Sequence, residues 1–156
     1  MTGAQTNSQI TIYTDGSCHT QKKVGAWAAI VFVGQEKTLL SGRVLDTTHH
    51  RMELQAVIEA IHYVKEHIVG ALDIKVITDS QYVAGLPGRR NKLEEKNFTT
   101  HRGNKIQNMD LVQQVLEMGE QFNIEFIKIK AHQKIEDENN YNAEVDRLSR
   151  KIVREG

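Results

Sequence analysis

Four carboxylates in this 156-residue chain stand where secondary-structure elements begin or end. Asp15 follows an alternating apolar stretch, Gln9–Thr14, and opens the turn signal Asp15-Gly16-Ser17. Asp79 closes a second such stretch, Asp73–Thr78. If those strands are parallel neighbours, the two side chains emerge at one sheet edge, about 5 Å apart. Open sheets bind ligands beyond the carboxyl ends of such strands. Glu53 falls in the first turn of a helical pattern, and Asp146 opens another, so both can reach that edge. Four acids would repel one another unless a cation sits among them. An all-oxygen set without cysteine selects Mg²⁺ or Mn²⁺ over zinc. Taken singly, each acid has a plainer reading. Asp15 and Asp79 would be turn or cap residues. Glu53 would answer the helix dipole, and Asp146 would be a solvated helix acid.

The elements that must position these acids follow from the periodicity. Gln9–Thr14, Gly25–Val33 and Lys37–Leu45 read as three sequential strands, an antiparallel meander. Leu54, Val57, Ile58, Ile61, Val64 and Ile68 then recur at three- and four-residue steps as a helical stripe. Thr48 lies ahead of that helix, and Gly70 fits its stop. Asp73–Thr78 is a fourth strand; the helix before it predicts a parallel crossover beside the first. Ser80–Ala84 reads as a short helix broken at Gly85-Leu86-Pro87-Gly88, with the chain's only proline. Asp110–Phe122 is helical, Ile124–Lys130 a fifth strand, and Ala131–Tyr141 a polar loop. Asn142 fits as the cap of a last helix whose Val145, Leu148 and Ile152 face inward. Trp27 is expected in the core, Cys18 as a small buried residue, and Glu136-Asp137-Glu138 as a solvated run.

Composition bounds the rest. Hydrophobic residues make up 39% and charged residues 26%, as in a globular domain. One cysteine excludes an internal disulfide and a cysteine-built zinc site. Residues 1–8 read as a flexible leader and 9–156 as a single domain. The polar start argues against a secretory signal, and no run is long and apolar enough for a membrane span. A cytoplasmic monomer is the expectation. The net charge is zero, which rules out a uniformly basic nucleic-acid coat. Between Gly88 and Lys105, however, six basic residues face two acidic ones, so this segment carries +4 and the remainder −4.

In order along the chain, Tyr13-Thr14-Asp15-Gly16-Ser17-Cys18, Arg51-Met52-Glu53-Leu54, Thr78-Asp79-Ser80-Gln81-Tyr82, Lys130-Ala131-His132 and the stretch from Asn142 to Ser149 resemble the motifs of type 1 ribonucleases H. Each motif alone is weak; five in order, over about Gln9 to Arg150, are specific. The resemblance implies an RNase H-like α/β fold: a five-stranded mixed sheet, three antiparallel strands then parallel additions, with helices on both faces. It implies an endonuclease that hydrolyses the RNA strand of RNA·DNA hybrids, leaving 5′-phosphate and 3′-hydroxyl ends. It assigns Asp15, Glu53, Asp79 and Asp146 to two Mg²⁺ or Mn²⁺ ions, with Asp15 bridging. His132 would assist proton transfer or product departure, and otherwise would be a surface loop residue.

By the same resemblance, Gln81, His49, His50 and Gln21 would touch the RNA strand, whose 2′-hydroxyls short polar groups can read. Asn is common in the family at the positions of Gln21, His49 and His50. Thr48, Thr100 and Asn108 resemble a phosphate pocket for the DNA strand. The basic stretch within 86–108, with Arg89, Arg90, Lys92, Lys96, Arg102 and Lys105, resembles the family's substrate-binding protrusion and would add salt-dependent affinity. The family often places tryptophans there; here Phe98 is the only aromatic, with Tyr82 nearby. With about eight residues before the first strand, no added N-terminal hybrid-binding domain is expected. Other readings are a ribonuclease H domain of a retroelement reverse transcriptase, a hybrid-binding module without catalysis, and, less fittingly, a transposase core.

Overall fold

The computed structural model describes residues 9–70, 73–130 and 140–155. Five strands form one sheet in the order β3-β2-β1-β4-β5. β1 (Ile10–His19), β2 (Val24–Val33) and β3 (Glu36–Leu45) make the antiparallel meander. After helix α1 (His49–His67), β4 (Asp73–Thr78) lies parallel to β1, and β5 (Asn123–Lys128) parallel to β4. Between β4 and β5 come α2 (Gln81–Ala84), α3 (Leu86–Glu95) and α4 (Met109–Gln121). Helix α5 (Tyr141–Glu155) closes the fold. The expected mixed sheet is the one observed.

Strand alternation sorts the core into two layers. On one face Ile10, Ile12, Ala29, Val31, Ile74 and Val76 meet the stripe of α1 and the apolar sides of α3 and α4. On the other face Ala28 and Ile30 pack against Val145 of α5. Asp15 shares the parity of Tyr13, so it faces α5. Gly16 has the opposite parity and faces α1.

Local expectations are corrected at five points. Asp15-Gly16-Ser17 is not a turn: β1 runs on to His19, paired to β2 throughout. Gly16 instead lets α1 cross the strand. A Cβ there would lie 2.5 Å from the Glu53 backbone nitrogen and from the Met52 carbonyl carbon. Glu53 is the fifth residue of α1, one turn deeper than expected, because Thr48 caps the helix and His49 is its first residue. Pro87 does not simply break the chain: it stands in the first turn of α3, where its missing N–H costs nothing. Asn142 is not the last cap. Asn140 accepts the Ala143 N–H at 3.0 Å, and Asn142 is buried inside α5. Trp27 is half-buried outside both core clusters, lying across Gly42, where a Cβ would meet its indole at 2.4 Å.

Candidate active site

The parallel ladder between β1 and β4 covers only Ile10–Tyr13 against Ile74–Ile77. Beyond it β1 continues along β2 while β4 stops, and Asp15 and Asp79 stand at this opening. Asp15 is 6% exposed. Burial, then the charge of Asp79, then a hydrogen bond with Asp146 and its charge, push the Asp15 carboxyl up to about 9. The Gly16 N–H, donating to Oδ1 at 2.8 Å, works weakly the other way. Three acids, one in β1, one just past β4 and one in α5, therefore share one electrostatic neighbourhood, and only a proton or a cation relieves it. Oxygen-only donors in that setting fit a hard divalent cation. Among the described residues no three His, Cys, Asp or Glu side chains are already closed around one point.

Glu53 reaches the same opening from α1, between the neighbours of both aspartates. Its backbone lies on Gly16, next to Asp15, and its carboxylate accepts the Ser80 hydroxyl at 2.9 Å, next to Asp79. The carboxylate is also engaged by His49 Nε2 and His50 Nδ1, each at 3.0 Å. Burial alone would raise its pKa; the two histidines and Ser80 outweigh it and hold Glu53 below the usual carboxylate value. The hydrogen bond to Glu53 in turn raises His49. Ser80 does two jobs, since its Oγ also accepts the Val83 N–H and so caps α2, placing the exposed Gln81 beside Glu53.

The expected substrate residues divide. His50, Tyr82, Arg89, Thr100 and Asn108 line one cavity of about 280 Å³ between α1, α3 and the chain entering α4. His50 stacks on the Tyr82 ring at 4.1 Å, and the Arg89 guanidinium lies over that ring too, 5.4 Å from its centre. Asn108, in the left-handed region at φ 60, donates from Nδ2 to the Tyr82 hydroxyl. Thr48 caps α1 by accepting the Arg51 N–H at 3.3 Å. Gln21 is exposed in the β1–β2 turn, which Lys23 ties to Thr47. Lys92, Lys96, Arg102 and Lys105 are exposed. Arg90 is turned inward: it pairs with Glu94 and Glu120 and donates to the Leu116 carbonyl, pinning α3 on α4. Phe98 packs partly buried against the main core and offers little face to a sugar. His132 lies outside the described residues.

Two residues carry geometry that motif reading did not assign. Arg51 forks onto Asp110, at 3.1 and 2.8 Å, and donates to the Asn108 side-chain Oδ1 at 3.3 Å. Its hydrogen bonds hold the Asp110 carboxyl below the usual range. Thus the start of α1 is fastened to the start of α4. Ser80 fastens Glu53 to β4. Both lay inside the quoted motifs, but their partners are 59 and 27 residues away, and spacing does not reveal such pairs.

An α/β sheet of this order, with acids converging where its parallel strands end, defines an RNase H-like domain. The comparisons agree. The RNase H family model matches residues 7–154. A ribonuclease H of Chlorobium luteolum is 34% identical over 147 residues, 93% of this chain and 95% of that one. A ribonuclease H of Caldicellulosiruptor saccharolyticus is 32% identical over 149 residues, covering 94% and 97%. The N-terminal RNase H domain of a Mycobacterium tuberculosis protein, solved as a fusion with maltose-binding protein, superposes with TM-score 0.70 over 96% of each chain, at 17% identity. The chain belongs to the RNase H family and is an RNase H enzyme. That family acts on RNA·DNA hybrids and generally uses divalent metal ions. No helix among the described residues is long and apolar enough to cross a membrane.

Proposed function

We propose that this protein cuts the RNA strand of RNA·DNA hybrids by phosphodiester hydrolysis, leaving 5′-phosphate and 3′-hydroxyl ends. One observation carries the reading: Asp15 is buried within the field of Asp79 and the hydrogen-bonding reach of Asp146, on the sheet edge that Glu53 overlooks. Asp15, Glu53, Asp79 and Asp146 would hold two Mg²⁺ or Mn²⁺ ions. When bound, such ions offset charge on the attacking and leaving oxygens and lower the pKa of water.

The chain's own groups do the remaining work. Asp15, with its proton displaced, turns a repulsive cluster into a cation cradle. Ser80 and the two histidines orient Glu53 until its carboxylate is claimed. Gln81, His49 and His50, at the rim, face the RNA 2′-hydroxyls, and Gln21 extends that row. The cavity around Tyr82, with Thr100, Asn108 and nearby Thr48, receives a DNA phosphate. Lys92, Lys96, Arg102 and Lys105 add sequence-blind attraction, with Arg89 bracing Tyr82. His132 accepts or delivers a proton as product leaves.

A labelled hybrid, with duplex DNA and duplex RNA as controls, tests this. Cutting of hybrid RNA alone, dependent on Mg²⁺ or Mn²⁺ and yielding 3′ ends that a polymerase extends, is expected. Equal cutting of duplex RNA, or activity in excess chelator, overturns it. His132→Ala should slow turnover partially; a loss as deep as that of Asp15→Asn would assign it another role.

A further inference from the structure

The C-terminal half of α5 carries charge that the site above does not use. From Arg147 to Arg154 the helix has four cations and no acid: Arg147, Arg150, Lys151 and Arg154. They recur at steps of three, one and three, so they form one stripe. Arg150 is paired with Asp146, its Nε 3.1 Å from Oδ1. Arg147, Lys151 and Arg154 are exposed and have no carboxylate partner among the described residues. Helix-dipole compensation explains only Arg154, which alone of these lies in the last turn.

All four cations line a groove of about 410 Å³ between α5 and β3, together with Leu39, Leu148 and Glu144, whose charge is taken up by Lys37 at 3.0 Å. Leu39, on the sheet side of that groove, is 49% exposed. Cations set beside exposed leucine surface match the alternation of phosphate and sugar along a nucleic-acid backbone. Arg150, in the groove lining, pairs with Asp146 one turn back, so the groove begins beside one of the four acids. From Asp146 to Arg154 the helix covers about 12 Å, enough for two or three successive phosphates.

We propose that this α5–β3 groove is a second backbone-binding surface, which grips phosphates of the hybrid leaving the cutting site on the side away from α3. The inference rests on the hybrid-binding reading above and extends it. α3 and α5 cover opposite faces of the sheet, and the acids lie at the edge between them. A duplex laid across that edge meets cations on both sides. The protein then has two basic surfaces, not one protrusion on an acidic body.

The test compares Arg147→Gln/Lys151→Gln/Arg154→Gln with its parent, both carrying Asp15→Asn to prevent cleavage. Anisotropy of a labelled 20-base-pair hybrid gives Kd across a salt series. Neutralising three cations should weaken binding about tenfold at low salt and flatten the slope of log Kd against log salt by about 2. Lys151→Glu, a single reversal that keeps a good helix former, should weaken binding in the same direction, and unchanged circular dichroism checks both folds. Wild-type-like affinity and slope in both variants overturn the second surface alone. Failure of the parent to bind hybrid at all overturns the functional reading and this inference together.

Discussion

The acidic end of the sheet and the basic α3 segment are built on opposite principles. Asp15 and Glu53 are 6% and 7% exposed, held by backbone that cannot shift: β1 is paired on past Asp15, and α1 lies against Gly16. Lys92, Lys96, Arg102 and Lys105 stand in solvent. Buried charges act strongly on one another and on a bound ion, and depend on position. Exposed charges act weakly, additively and through salt. Within the basic segment the same contrast recurs. Arg90 has been drawn inward to Glu94 and Glu120 and no longer belongs with its neighbours. Charge type along the chain does not say which cations are free to meet a polyanion; partners do.

The deepest break in this contrast is Asp15→Asn, which removes the charge that a cation requires while keeping shape. Turnover on hybrid should fall by at least about 10³-fold, as the loss of a central electrostatic group does. A rate assay checks this, and near-normal turnover would dissociate Asp15 from the chemistry. The same variant sharpens the contrast through stability. The Asp15 carboxyl, ordinarily near 3.8, is raised to about 9 in the fold. Between those values the folded state holds a proton that the unfolded chain has released, so stability falls as pH rises across that window. In chelator, Asp15→Asn should therefore melt higher than wild type at pH 8, by several degrees. The gain should shrink toward pH 4, and calorimetry at both values reads it. At this chain length each kcal/mol shifts Tm by roughly 2–4 °C.

On the basic side the effects are smaller. Lys92→Gln/Lys96→Gln/Arg102→Gln should raise Kd for hybrid about tenfold at low salt, with the difference fading as salt rises. A salt-independent loss would point to specific contacts instead. Smallest on binding is Arg90→Gln. Hybrid affinity should change less than about twofold, while Tm drops by a few degrees because α3 loses its anchor on α4. A large affinity loss with unchanged Tm would return Arg90 to the substrate surface.

The order of the five strands, the parallel pairing of β4 with β1 and the nearness of Asp15 to Asp79 are legible in alternation and in where the acids fall; the pairing of β5 with β4 follows only from the family resemblance. The stripe of α1, whose apolar residues recur at helical steps, is legible too. At Gly16 a strand glycine and a turn glycine look alike one-dimensionally; the helix it admits comes from 36 to 37 residues further on. α3 lacks an apolar stripe and buries only Leu86, so periodicity does not reveal it. Asn142 and Asn140 are both good caps by type, and only the start of α5 separates them.

By itself the sequence determined which residue types were available and the period on which each would turn. That sufficed to place Asp15 and Asp79 at the end of the pairing between neighbouring strands, because residue period and the position of an acid within its element are local properties. Tertiary structure decided what each side chain does with its charge. It sent Arg90 to Glu120, set Arg51 between Asp110 and Asn108, gave Glu53 to two histidines and a serine, and left Arg147, Lys151 and Arg154 exposed beside a groove. Partnership depends on distances closed by packing between segments far apart in the chain, and no spacing rule carries that information.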